Sequence, residues 1–181
     1  MNFEIPGTNM KYSSENDAFS MFRPMIEITG GLSLSQVCSI TGLQASTIQN
    51  WVKRGYAPRP INKKYFERHL ARILLISSLR DCMNIEDIGE LMKLINGDTE
   101  DESDDIVSES KLYDYFSNCI NTLNCKTIED GEIEKAINDV LKNEELVVKE
   151  KLVYALKVMV YAYMSGKCLK QISVNLAKLK N

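Results

Sequence analysis

Apolar positions recur at helical spacing from residue 33 onward and only weakly before it. Ser33 is placed to cap a helix whose apolar positions are Leu34, Val37, Cys38 and Thr41, and Gly42 is placed to end it. After Leu43 a second helix begins at Gln44-Ala45-Ser46, carries Ala45, Ile48, Trp51 and Val52 on one face, and stops at Gly55. Pro58 and Pro60 exclude a helix through the next segment. A third helix is predicted over about 66–82, with Phe66, Leu70, Ile73, Leu74, Ile76 and Leu79 inward. Asn84 is placed to cap a fourth, 85–95, with Ile85, Ile88, Leu91, Met92 and Ile95 on one face. An acidic loop over 97–106 precedes three more predicted helices: 109–123, 128–143, and a long apolar one from about 146 to 166 and beyond. Before residue 33, Pro6, Gly7, Pro24, Gly30 and Gly31 break the chain into short pieces, and Phe19, Met21, Phe22, Met25 and Ile26 suit a short docking helix. There is no strong strand pattern and no internal repeat. The pattern predicts a mostly α protein with an N-terminal segment (1–31), a first helical domain (32–96), an acidic linker (97–107) and a C-terminal helical domain (108–181).

Composition keeps this picture within the globular class. Of 181 residues, 44% are hydrophobic and 26% charged, a balance that supports a packed core. In the apolar C-terminal region the longest uncharged stretch is 158–166, far short of the ~20 residues of a membrane span. Residues 1–11 lack a basic region followed by an apolar run, so a cytoplasmic protein is expected. Charge changes the picture more. The chain is −3 in total, yet residues 32–82 hold eight Lys/Arg and two acids, net +6, leaving −9 elsewhere. Phosphate neutralisation is local, so that asymmetry outweighs the total.

Two short helices joined by a Gly-containing turn fit a helix-turn-helix, in which the polar side of the second helix enters the major groove. Here Gln44, Ser46, Thr47, Gln49, Asn50, Lys53 and Arg54 lie opposite the Ile48-Trp51-Val52 face. Gln and Asn bond an adenine edge in pairs, while Lys and Arg reach guanine or phosphate. The following segment, 55–65, is proline-stiffened and basic. It reads as a wing that lays Arg59, Lys63, Lys64 and Tyr65 on the phosphate backbone. Tyr65 has a second reading, closing the wing onto the third helix. Trp51, three residues from Ile48, reads as core. On the third helix, Arg68, Arg72 and Arg80 read as solvated, ion-paired or phosphate-contacting.

Residues 34–95 resemble the winged helix-turn-helix of MerR-type regulators. The resemblance rests on Thr41-Gly42-Leu43, Thr47-Ile48, the aromatic Trp51, Arg54-Gly55, the wing end Lys63-Lys64-Tyr65, and an apolar third helix followed by Ile85-Glu86-Asp87-Ile88. It implies DNA binding through 44–54 and 55–65. The chain departs from that family at Gln49 and Lys63, where arginine is usual, near Met83, where a glycine is usual, and in lacking a long coiled coil after the fourth helix. The resemblance therefore covers DNA binding and not the activation mechanism. The whole chain is similar to an uncharacterised bacterial family, domain of unknown function 1836, with a MerR-like domain and a helical tail.

Little else in the chain carries chemistry. Five cysteines (38, 82, 119, 125, 168) include no Cys-x-x-Cys pair, and with His69 as the single histidine they predict no metal site but reduced, mostly buried thiols. His69 reads as structural. The run 98–105 reads as a solvated linker, with mimicry of phosphate against the basic wing as a second reading. No Gly-rich phosphate loop and no nucleophile–base set is present, so no enzyme and no cofactor are expected. The long C-terminal helix is apolar on most of its circumference and must be buried in a bundle, by a second copy as a homodimer, or around an effector. The expected function is a sequence-specific regulator bound to double-stranded DNA. The alternative is a protein-interaction adaptor on the same scaffold.

Overall fold

In the computed structural model, residues 3–8, 10–12, 18–101, 103–124 and 129–180 are described. Their elements run β1 (Phe3–Glu4), β2 (Lys11–Tyr12), a 3-10 turn (Ala18–Met21), α1 (Arg23–Ile28), α2 (Leu34–Thr41), α3 (Ala45–Lys53), α4 (Glu67–Leu79), α5 (Ile85–Asn96), α6 (Glu109–Leu123), α7 (Asp130–Val140) and α8 (Leu146–Leu179). The chain is mostly helical. β1 and β2 form a minimal antiparallel pair, Phe3 opposite Tyr12 and Glu4 opposite Lys11, where the sequence pattern predicts no strand. No helix among the described residues is long and apolar enough to cross a membrane.

Local chemistry sets several helix ends. Ser33 and Gln36 close a reciprocal capping box at α2: the Ser33 hydroxyl accepts from the Gln36 N–H, and the Gln36 amide oxygen accepts from the Ser33 N–H at 2.8 Å. Gly42 ends α2 in the left-handed region, φ +70°. Asn84 accepts from the Asp87 N–H at 2.9 Å to start α5. α7 ends three residues before the predicted 143, and α8 runs thirteen residues past 166. Ile128, Cys125 and Glu102 lie outside the described residues.

The core is continuous from α1 to α8. α4 is its axis. Leu70, Ala71, Ile73, Leu74, Leu75, Ile76 and Leu79 are all buried, so the helix is covered all round and not amphipathic as its spacing suggests. α6 packs beside it and also receives the N-terminal segment through polar groups. The Tyr113 hydroxyl donates to the Pro6 carbonyl at 2.6 Å, Asp114 accepts from the Phe19 N–H at 2.7 Å, and the Asn121 amide bonds both backbone groups of Glu4. These bonds satisfy backbone groups that the short N-terminal elements leave unpaired. α7 is held to α8 by Lys157, which pairs with Asp130 and Glu134, and by the Tyr161 hydroxyl, which donates to Asp130.

One ion pair crosses the middle of this core. Arg72, on α4, and Glu109, the first residue of α6, are each 1% exposed, and Arg72 Nε donates to Glu109 Oε1 at 2.7 Å. Burial pushes the Glu109 carboxyl above its ordinary value, and the adjacent guanidinium only partly opposes that. The α6 N-terminus adds a favourable dipole for the carboxylate. Losing either partner leaves the other charge buried alone. Arg72→Met and Glu109→Leu should each cost about 3–5 kcal/mol in urea unfolding, while the double variant should recover most of that loss. Additive losses in the double variant would show that the pair is not coupled.

Candidate functional site

α3 divides sharply into two sides. Ile48 and Trp51 are buried, as the spacing predicts for Trp51. Gln44, Ser46, Gln49, Asn50 and Lys53 are exposed, and Thr47 is half-buried. The polar groups of these exposed side chains make no hydrogen bond within the protein's described residues. A helix surface with amide and hydroxyl groups all directed at solvent is equipped to bond an external partner. The α2–α3 turn, Gly42 to Gln44, is stiffened by Thr41, whose hydroxyl donates to the Val37 carbonyl and accepts the Leu43 N–H.

At the end of α3 the chemistry turns inward. Arg54 donates to Glu86 on α5 at 2.6 Å and lies over the Tyr56 ring, 4.8 Å from its centroid. The Glu86 backbone N–H first, and Arg54 second, hold the Glu86 carboxyl below its ordinary value. Tyr56 reaches this position because α5 presents Gly89 to it: a Cβ there would stand 2.8 Å from the ring. Arg54 is thus a strut between α3 and α5.

The 55–65 segment closes in a two-residue hairpin. Ile61 and Lys64 exchange both backbone hydrogen bonds, at 3.0 and 2.8 Å. The two residues between them, Asn62 and Lys63, have φ +50° and +63°. Positive φ at both central positions is the requirement of a type I′ turn. Asparagine tolerates it, whereas lysine is held there at a cost. Lys64 does not point outward: its ammonium donates to the carbonyls of Thr29 and Gly31 at 3.2 and 3.0 Å. Tyr65 is 3% exposed, and its backbone exchanges hydrogen bonds with Leu32, both 2.8 Å. Burial pushes the Tyr65 phenol up. Both residues therefore shape the segment and leave the expected phosphate-facing set; Tyr65 takes its second reading. His69 completes the arrangement. Its Nδ1 accepts from the Phe66 N–H at 3.1 Å, and its Nε2 faces the Arg59 carbonyl at 2.8 Å, which fixes the Nε2–H tautomer. A structural histidine is what the sequence predicts; its service to this segment is not readable there.

The acidic loop lies against the same segment and is not merely solvated. Glu100 accepts the Arg59 N–H at 3.1 Å, the Thr99 hydroxyl donates to the Gly55 carbonyl, and Arg68 donates to the carbonyls of Asp98 and Asp101. Of the three arginines in and just after α4, Arg72 is buried with Glu109, Arg68 holds the loop, and Arg80 lines a cavity of about 430 Å³ with Ser77, Tyr163 and Lys167. Between residues 44 and 65, the cationic side chains that bond neither a carboxylate nor a carbonyl are Lys53, Arg59 and Lys63, among the described residues. Of the described cysteines only Cys119 is buried, its thiol pushed up by burial to about 12. Cys82 and Cys168 are exposed, which corrects the expectation of mostly buried thiols.

The cost of lysine in the hairpin is measurable. Lys63→Gly should raise stability by on the order of 0.5 kcal/mol in urea unfolding, because glycine adopts positive φ without its Cβ penalty and gives back part of that gain to unfolded-chain entropy. Lys63→Ala, which keeps a Cβ, should not. A loss of stability in the glycine variant would remove the strain argument.

Among known proteins, no solved structure matches this chain. The uncharacterized protein YkrK of Bacillus subtilis (strain 168) is 27% identical over 111 residues, which is 59% of this chain and 46% of that protein. The chain thus spans about half the length of this curated relative. Residues 29–116, from just before α2 to the middle of α6, match the family described as "Domain of unknown function (DUF1836)".

Proposed function

We propose that this protein is a sequence-specific transcriptional regulator that binds double-stranded DNA through a winged helix-turn-helix of MerR-like kind. α2 and α3 form the helix pair, and α3 enters the major groove. The 55–65 segment is the wing and lies on the adjacent backbone. The observation that carries this reading is the outer side of α3: Gln44, Ser46, Gln49, Asn50 and Lys53 stand exposed and make no hydrogen bond among the described residues. Gln49 and Asn50 are the base-reading residues, since their amides match the donor–acceptor pair of adenine. Lys53, Arg59 and Lys63 contact phosphate. The strained Lys63 supports this reading, because a position that favours glycine holds a cation at the tip of the hairpin. Arg54, Lys64 and Tyr65 support the site by fixing α3 and the wing.

Fluorescence titration against fragments selected from a random DNA library tests the proposal. Gln49→Ala and Asn50→Ala should each lose about 1–3 kcal/mol on the selected site and relax sequence preference, with little change on random DNA. Lys53→Ala and Lys63→Ala should weaken all sequences alike, and each should reduce the salt slope by roughly one unit. No detectable binding at low salt, or full retention in the combined Lys53/Arg59/Lys63 alanine variant, refutes it.

A further inference from the structure

α8 has two apolar faces, and the protein uses one. At 3.6 residues per turn, Leu152, Leu156, Met159 and Val160 fall on one side of the helix and are buried in the bundle. On the opposite side, separated by the half-buried Tyr161 and the polar Ser165, two groups (Val147, Tyr154 and Val158, then Ile172, Leu176 and Leu179) fall within an arc of roughly 60° over ~48 Å of the helix. Their exposures lie between 43% and 82%. Leu169 lies at the edge of the same arc. Beyond Lys167 every described residue of α8 is exposed, so the last three turns project with this face uncovered.

The two groups together expose on the order of 700 Å², close to the ~800 Å² per partner that a stable interface buries. Its flanks suit self-association. Lys167, Lys170 and Lys178 lie on the far side of the helix, where Lys167 pairs with Glu4 and Lys170 with Asp81 of the same chain. Charge also sets a direction. Lys151 is exposed at the edge of the stripe, at the same helical angle as Leu169. A parallel pair would set Lys151 against its own copy. An antiparallel pair in full overlap sets Lys151 opposite the neutral Asn175 instead and opposes the two helix dipoles.

We infer that the outer face of α8 is the seam of a homodimer, in which the α8 helices of two copies pack antiparallel along their full length. The inference names the surface and direction of self-association and stands independently of DNA binding. The DNA-free full chain tests it by sedimentation equilibrium, where the expected mass is twice the 20.6 kDa of the chain. Ile172→Glu with Leu176→Glu should raise the dissociation constant by about 100-fold or more. Both sites project from the bundle, so the circular dichroism of the variant should stay helical. A wild-type monomer at ~100 µM, or a variant that dimerises as well as the wild type, overturns the seam. A monomeric wild type that floats with anionic lipid vesicles overturns it in favour of a membrane surface. Direction is read by oxidation of Val158→Cys in a Cys82→Ser background, since an antiparallel pair in full overlap sets residue 158 opposite Cys168 of the other copy. A 158–168 disulfide identified by mass spectrometry supports the arrangement; a dimer without it, or with a 168–168 disulfide, overturns the antiparallel order.

Discussion

The Arg72–Glu109 pair is the constraint around which the rest of the molecule is arranged. It joins the helix that supports α2 and α3 to the first residue of the helix that organises the C-terminal half. Two charges at 1% exposure hold only if the surrounding core stays dry and the geometry stays fixed. The apolar packing of α4 on all sides meets that condition. Such a pair adds little net stability compared with a hydrophobic core of the same volume, but it tolerates no sliding of α4 against α6. The orientation of α3 relative to the C-terminal bundle is thereby held through α4.

A second layer of polar contacts transfers that rigidity to the surface. Arg54, Tyr56 and Glu86 brace the end of α3 on α5, and His69 and Lys64 brace the loop that follows. Each of these side chains is polar, stands beside the candidate site, and is occupied within the protein. The unoccupied groups on α3 are then presented from a fixed frame, so less ordering entropy is lost when a partner binds. Lys63 sits at the one place where this frame is strained.

The sequence makes the helices and their caps readable because their signals are local. Ser33 with Gln36, Gly42 and Asn84 each act within four residues, and Ile48 and Trp51 mark the buried side of α3 by spacing alone. The partners that decide the roles of individual charges are remote. Glu109 lies 37 residues from Arg72, Glu86 lies 32 from Arg54, and the carbonyls that receive Lys64 lie more than 30 away. No periodicity encodes such pairings, so Arg54, Lys64 and Tyr65 read as DNA contacts when taken one residue at a time. α8 shows the same limit. Spacing marks it as apolar nearly all round, but only the bundle reveals that one face is filled and the opposite face is left outside.

These remote pairings revise what the charge asymmetry means. Residues 32–82 sum to +6, yet Glu86 and Glu109, both beyond that stretch, neutralise Arg54 and Arg72, and Arg68 and Lys64 are spent on carbonyls. What remains in α3 and the following loop is three cations beside a row of neutral amides and hydroxyls. A surface of that kind carries less of the sequence-independent attraction that bulk positive charge gives. In the proposed DNA complex, discrimination would rest on the hydrogen bonds of Gln49 and Asn50, and a second copy would matter more, because a single helix with few phosphate contacts reads too few base pairs to hold a site alone. Under the proposed DNA binding, the sparse charge on α3 and the uncovered face of α8 would belong together, with affinity drawn from paired subunits more than from cations.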